Sequence, residues 1–233
     1  MFLDLFCKGW LDWILPCDCC GCAEQITTPD KPLCYQCLST LAATEYEASA
    51  HEKVAANFWG RITLQSVIAA YPLRSDSILH RSLHQLKYDQ RPGIGLFLGK
   101  LAGSRLIKQQ MLPPIDAIIP LPLHPAKKRK RGYNQAERIG QGLSIASGIP
   151  VWNDVVRRHQ FTQTQTHKDR VERWANMQGK FSVRNGQKAE GKHLLLVDDV
   201  LTTGATLEAC GQILQQIPAV QLSFFTLAYT ENG

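Results

Sequence analysis

The chain has 233 residues, 44% of them apolar, which suits one domain of ordinary size with a real core plus a small appendage. Its net charge of +6 is uneven: residues 1–60 hold three lysines, no arginine and eight acidic residues, and the remainder holds 23 basic and 12 acidic ones. A basic main body favours anionic partners such as phosphates or nucleic acid, although solubility alone explains the charge equally well.

The first segment, MFLDLFCKGWLDWIL, carries two aspartates and no small-residue cleavage pattern, so no secretory signal is expected here, and it is too short to cross a bilayer. Phe2, Phe6, Trp10 and Trp13 fall near helical spacing and predict an amphipathic helix. Its apolar face packs on the domain or, alternatively, docks on a membrane surface. The expected location is therefore cytoplasmic, at the inner face of the membrane in the second case. In that compartment clustered cysteines signify metal.

Six of the eight cysteines lie between Cys17 and Cys37, as CDCCGC and CYQC. Two Cys-x2-Cys pairs wrap one tetrahedral Zn²⁺ as four thiolates, a closed set suited to a structural role. Cys17 and Cys20 with Cys34 and Cys37 are the preferred ligands, because Gly21 then follows the second ligand. Cys19 and Cys22 are the alternative first pair. Cys7 and Cys210 read as ordinary buried thiols.

Residues 41–60 read as a polar, helical connector, so the expected division is 1–45 for the helix and zinc-binding unit and 60–233 for the main domain. From Gln65 strands and helices alternate. SVIAAYP is a strand. SDSILHRSLHQLKYDQ is a helix capped by Ser75 or Asp76, with Leu79, Leu83 and Leu86 on one face. GIGLFLGKLAGSRLIKQQ is a second helix, and its GIGLFLG does not follow a strand, which counts against a dinucleotide loop. DAIIPLPLHP is a short buried strand entering a proline-rich loop. YNQAERIGQGLSIASG is a helix ended by Gly148, DVVRR a strand and THKDRVERWANM a helix. KHLLLVDD is a strand, GATLEACGQILQQI a helix and VQLSFFTLAYT a final strand. This order predicts an α/β domain with a parallel sheet flanked by helices.

The stretch LLLVDDVLTTGAT (194–206) joins a buried strand, two aspartates and a turn of hydroxyls and glycine opening a helix. Free amides of a first helical turn and the helix dipole make an anion site. Gly204 permits close backbone approach, and Thr202, Thr203 and Thr206 offer hydroxyl donors. Asp198 and Asp199 repel a phosphate but accept from neighbouring hydroxyls, with or without Mg²⁺. A phosphate at one end and vicinal hydroxyls beside it describe a ribose 5-phosphate. The stretch resembles the signature of type I phosphoribosyltransferases, which bind 5-phosphoribosyl-1-pyrophosphate (PRPP). That resemblance implies that Asp198 and Asp199 contact the ribose hydroxyls as the catalytic pair. It also implies that Val200, Leu201, Thr202, Thr203, Gly204, Ala205 and Thr206 wrap the 5-phosphate, and that the fold is a parallel sheet with a hood.

Those enzymes bind pyrophosphate on a short loop after an early strand, and Leu121 and Pro122 of LPLHP lie where that loop is expected. Lys127, Lys128, Arg129, Lys130 and Arg131 follow. Five consecutive cations form either a solvated, disordered lid or an anion contact that stabilises departing pyrophosphate.

Together with LHQLKYDQ (83–90), IPLPLHPAKKRKRGYNQAE (119–137) and RRHQFTQTQTHKDRVERWANMQGKFSV (157–183), these motifs are similar to those of ComF-family competence proteins over nearly the full length. The resemblance implies a role in natural transformation, handling incoming single-stranded DNA, with a DNA-translocating helicase as a partner. Candidate contacts to nucleic acid or to an acceptor are Lys87, Tyr133, Asn134, Gln135, Gln163, Gln165, Arg170 and Arg173. For each a plain structural or solvated role is the competing reading; Tyr133 either stacks on a base or packs at a helix start. Two functions follow: a Mg²⁺-dependent transferase with an unidentified acceptor, or a binding module that holds PRPP and single-stranded DNA.

Overall fold

The computed structural model describes residues 17–26, 31–42, 48–159 and 180–230. The sequence-predicted N-terminal helix and the helix at 166–177 lie outside them, as do Cys7, Gln163, Gln165, Arg170 and Arg173.

Two short strands, β1 (Cys17–Asp18) and β2 (Gln25–Ile26), pair antiparallel and lead to helix α1 (Tyr35–Ala42). Helix α2 (Ala48–Ala56) precedes the first long strand, β3 (Ser66–Pro72). Helices α3 (Ile78–Tyr88) and α4 (Pro92–Lys108) then lead to β4 (Ala117–Pro120). Next come α5 (Pro125–Arg131), α6 (Gln135–Ser147), β5 (Val156–Arg158) and β6 (Phe181–Val183). The chain closes with β7 (His193–Leu201), α7 (Ala205–Leu214) and β8 (Gln221–Tyr229).

The central sheet has the order β3-β8-β7-β4, and all its pairs are parallel. Successive strand residues point to opposite faces, and both faces are buried. Ile68, Ile118, Leu195, Val197 and Phe225 enter one core with Leu83 and Leu86 of α3, Leu98 of α4 and Ile139 of α6. Val67, Ala117, Leu194, Leu196 and Phe224 enter a second core with Phe58 and with Leu207 and Cys210 of α7. The expected parallel sheet between two helical layers is thus the observed one.

Several local readings differ. Helix α3 is capped by Ser77, whose Oγ accepts from the His80 amide at 3.1 Å, rather than by Ser75 or Asp76. Asp76 instead takes a left-handed conformation, φ 56°. Strand β5 does not join the parallel sheet; it pairs antiparallel with β6, three residues too short to show a period. The basic run is not a disordered lid but helix α5. Pro125 sits in its first turn, His124 Nδ1 accepts from the Ala126 amide at 3.2 Å, and Gly132 ends it at φ 79°.

Helices α4 and α6 approach closely because each presents a glycine to the other. A Cβ on Gly142 would lie 2.2 Å from the Leu96 carbonyl oxygen, and one on Gly99 2.2 Å from that of Ile139. Backbone cannot yield as a side-chain tip does. Gly142→Ala is expected to destabilise the chain by about 2–3 kcal/mol in denaturant unfolding, the cost of overpacking a rigid contact. An unchanged midpoint would show that the helices separate freely.

Candidate functional site

Strand β7 delivers Asp198 and Asp199 to the carboxyl end of the sheet, half-buried, where open α/β sheets bind ligands. The Asp199 amide donates to Asp198 Oδ1 at 2.8 Å. Lys87, at the end of α3, places Nζ 3.0 Å from Asp199 Oδ2. Lys87 therefore reaches an anion, and that anion is one of the chain's own acids. Burial and the neighbouring Asp199 charge push the Asp198 carboxyl up to about 8, against the opposing pull of the Asp199 amide, Lys87 and Arg158.

Val200 and Leu201 finish β7, with Leu201 buried. Thr202 and Thr203 are exposed in the turn, as is Thr206 in the first turn of α7. Gly204 caps α7 at φ 72°, where L side chains are strained, and a Cβ there would also lie 2.7 Å from the Phe58 ring. No side chain caps this helix end, so its first amides stay free to meet an anion.

Strand β4 runs parallel to β7 with Pro120 opposite Val197, so its following loop emerges beside the acid pair. Leu121 is buried, its amide donating to the Val197 carbonyl at 2.8 Å. Pro122 lines a cleft of about 630 Å³ between α5 and β5. Lys128, Arg129, Arg157 and Arg158 also line it, with Asn153 and Glu137. Glu137 lies 3.9 Å from Lys128. Lys127 and Lys130 are exposed on α5, and Arg131 donates to Gln135 Oε1 at 2.9 Å with its guanidinium 5.6 Å from the Tyr88 ring centre.

Arg157, Arg158 and Asn153 are functional candidates that the sequence reading missed, although a double arginine at a strand end was there to see. Burial holds the Arg158 guanidinium below its usual range, while the Asp198 charge draws it back up.

Of the neighbours of the basic run, Tyr133 and Gln135 are buried, while Asn134 lines the cleft and also makes backbone contacts. Tyr133 is 9% exposed and its hydroxyl donates to the Leu86 carbonyl, so it packs at the helix start and does not stack on a base. Asn134 caps α6, accepting from the Ala136 amide at 3.2 Å and donating to the Leu121 carbonyl at 2.9 Å. Gln135 is 2% exposed. Asn134 thereby ties α6 to the loop beside the acids.

At the other end of α3, the Sγ atoms of Cys19, Cys22, Cys34 and Cys37 lie within 4.8 Å of one another, with Cys22 and Cys34 3.7 Å apart. Four thiolates about 2.3 Å from a tetrahedral zinc stand about 3.8 Å from each other, so this donor set fits that ion. The Cys34 and Gly21 amides donate to Cys19 Sγ at 3.2 and 3.4 Å. Burial alone would raise the Cys19 thiol; these amides and that of Cys22 outweigh it and bring it to about 7. The cluster could hold a metal such as zinc.

The preference for Cys17 and Cys20 is thereby corrected. Cys20 is turned into the core, its Sγ 3.2 Å from Ser82 Oγ on α3. Gly21 does not follow the second ligand but lies between Cys19 and Cys22, where a Cβ would come 2.8 Å from Cys37 Sγ. Cys210 is buried, as expected, and burial raises its thiol.

Residues 122–232 match the phosphoribosyl transferase domain, a stretch that contains β7, the acid pair, the helix end at Gly204 and β8. The chain is 29% identical over 233 residues to "Competence protein F" of Haemophilus influenzae, covering 97% of this chain and 96% of that protein. It is 27% identical over 215 residues to "DNA utilization protein YhgH" of Escherichia coli, covering 91% of this chain and 90% of the relative. To "Competence protein ComFC" of Bacillus subtilis it is 32% identical over 111 residues, 47% of this chain and 43% of the relative. The chain is thus similar over nearly its whole length to a competence protein and to DNA utilization proteins. Among the described residues no helix is long and apolar enough to cross a membrane.

Proposed function

We propose that the chain binds PRPP, or a closely related ribose phosphate, at the carboxyl end of β7 and acts in the handling of incoming single-stranded DNA. The observation that carries the first half is the adjacency of an uncapped helix N-terminus at Gly204 and two carboxylates at Asp198 and Asp199. The free amides and the threonine hydroxyls would hold the 5-phosphate, and the acids would accept from the ribose hydroxyls. The loop at Leu121 and Pro122 and the cations of α5 would face the pyrophosphate. Bound Mg²⁺ would neutralise pyrophosphate charge.

The second half is supported by the printed names of the relatives and by the cleft at α5 and β5, where Lys128, Arg129, Arg157 and Arg158 meet one acid. Such a cleft suits a phosphodiester backbone. A DNA-translocating helicase is the partner proposed for this role, and four thiolates at the knuckle would hold structural Zn²⁺. The second reading is catalysis: the bond between ribose C1 and pyrophosphate oxygen breaks, the acceptor bonds to C1, and the cations stabilise the departing anion.

The test is a calorimetric titration with PRPP, with and without Mg²⁺. Saturable binding strengthened by Mg²⁺ is expected; its absence overturns the ribose-phosphate reading. Fluorescence anisotropy with a labelled oligothymidine tests the DNA half. Binding is expected to weaken steeply with salt, and Arg157→Glu with Arg129→Glu to weaken it at least about tenfold and flatten the salt slope. Unaltered binding would remove the cleft from the DNA path.

A further inference from the structure

Helix α3 ends in an exposed ring. Tyr88 is 62% exposed, although it closes a helix whose Leu79, Leu83 and Leu86 are buried. The ring is nonetheless held in place. His84, one turn earlier on the same face, lies 4.7 Å away between ring centres, tilted by 43°. From α5 the Arg131 guanidinium stands 5.6 Å from the Tyr88 ring centre, and Arg131 Nη1 is itself fixed by donating to Gln135 Oε1 at 2.9 Å. Tyr133 steadies the same turn of α3, since its hydroxyl donates to the Leu86 carbonyl. A large aromatic left in solvent while its neighbours fix its plane is a prepared surface: little side-chain entropy remains to be lost when a flat group settles on it.

The charge around the ring selects what settles there. Helix α5 runs through PAKKRKR, and Lys128 and Arg129 on it line the cleft that Arg157 and Arg158 also line. From Lys128 to Arg131 the helix rises only about 4.5 Å. A polyanion held in the cleft therefore passes within reach of the guanidinium beside Tyr88. We propose that Tyr88 is the stacking platform for one unpaired base of a nucleic-acid strand whose backbone lies in the cleft between α5 and β5. This rests on the DNA half of the proposed function and adds a selection to it. Cations alone grip any phosphodiester backbone, whereas a ring takes only a base whose face is free, as in a single strand. Arg131 closes on the far face of that base. Two contact distances of about 3.5 Å set the guanidinium about 7 Å from the ring, a short withdrawal for a long side chain. Every base offers such a face, so the platform is indifferent to sequence.

The full-length chain tests this by fluorescence anisotropy with two labelled strands of equal length, one of oligothymidine and one with the same phosphodiester backbone but no bases. Tyr88→Ala should weaken binding of oligothymidine at least about fivefold, the loss of one stacked base, and Tyr88→Phe, which keeps the ring, should stay within about twofold of the parent. The strand without bases should bind the parent and both variants alike, which also shows that the variants are folded. Oligothymidine binding unchanged in Tyr88→Ala overturns the platform. So does an equal loss on both strands, because the ring would then only brace α5. A parent chain that binds neither strand overturns the nucleic-acid reading itself, an outcome distinct from both.

Discussion

Asp198→Asn with Asp199→Asn is expected to weaken PRPP binding by at least about 100-fold while the chain stays folded. Hydrogen bonds to charged groups contribute about 1.5–3 kcal/mol each, so losing two accounts for that factor. The effect on stability has the opposite sign. The Asp198 carboxyl sits at about 8 in the folded chain, raised by burial and by Asp199, against about 3.9 in the unfolded chain. A carboxyl raised in this way subtracts stability progressively as pH climbs from its unfolded to its folded value, and by a constant amount above. Asp198→Asn alone should therefore melt higher than the parent at pH 8, with the gain shrinking toward pH 5. The same carboxyl sets the ligand's pH dependence. Accepting from ribose hydroxyls favours the ionised form, so affinity for PRPP should rise about tenfold between pH 7 and pH 9 and level off there. The 5-phosphate is already ionised across that window. Calorimetry at three pH values reads this directly, and a flat profile would take Asp198 out of the contact.

The second large effect concerns metal. Cys22→Ser with Cys34→Ser should abolish zinc binding, reducing one ion per chain to none in elemental analysis of protein purified without chelator. Cys17→Ser with Cys20→Ser should keep the ion and lose only packing, since Cys20 contacts Ser82 rather than the other thiols. The reverse pattern would restore the pairing that the position of Gly21 first favoured. Loss of zinc from the first variant should also loosen the turn, because the ion would be what joins the Cys19 and Cys22 thiols to those of Cys34 and Cys37.

These two sites show what a sequence reveals about itself. The long sheet strands and α3, α4, α6 and α7 were legible because their apolar periods are long and their ends carry proline, serine or glycine. The acid pair and the threonine turn were legible because one contiguous stretch holds every part. What escaped depended on distant partners. Tyr133 is a buried packing residue because its hydroxyl meets Leu86, 47 residues away, and nothing beside it announces that. The two zinc pairings share the same spacing, and only Ser82, on another helix, separates Cys20 from the ligands. The basic run reads as a lid from its charge; its helix is fixed by Pro125 in its first turn and Gly132 after it. Arg157 and Arg158 belong to a strand pair whose second strand, β6, is too short to foresee.

Helix α3 touches both of the chain's chemical centres. Arg81 donates to the Gly21 carbonyl within the cysteine turn, Ser82 meets Cys20, and Lys87 grips Asp199. Six residues of helix rise only about 9 Å, less than two turns. So short a rod has no joint at which to absorb a displacement. The thiol turn and the acid pair are therefore two ends of one strut, and a shift of the cysteines becomes a shift of the cation that neutralises the acids.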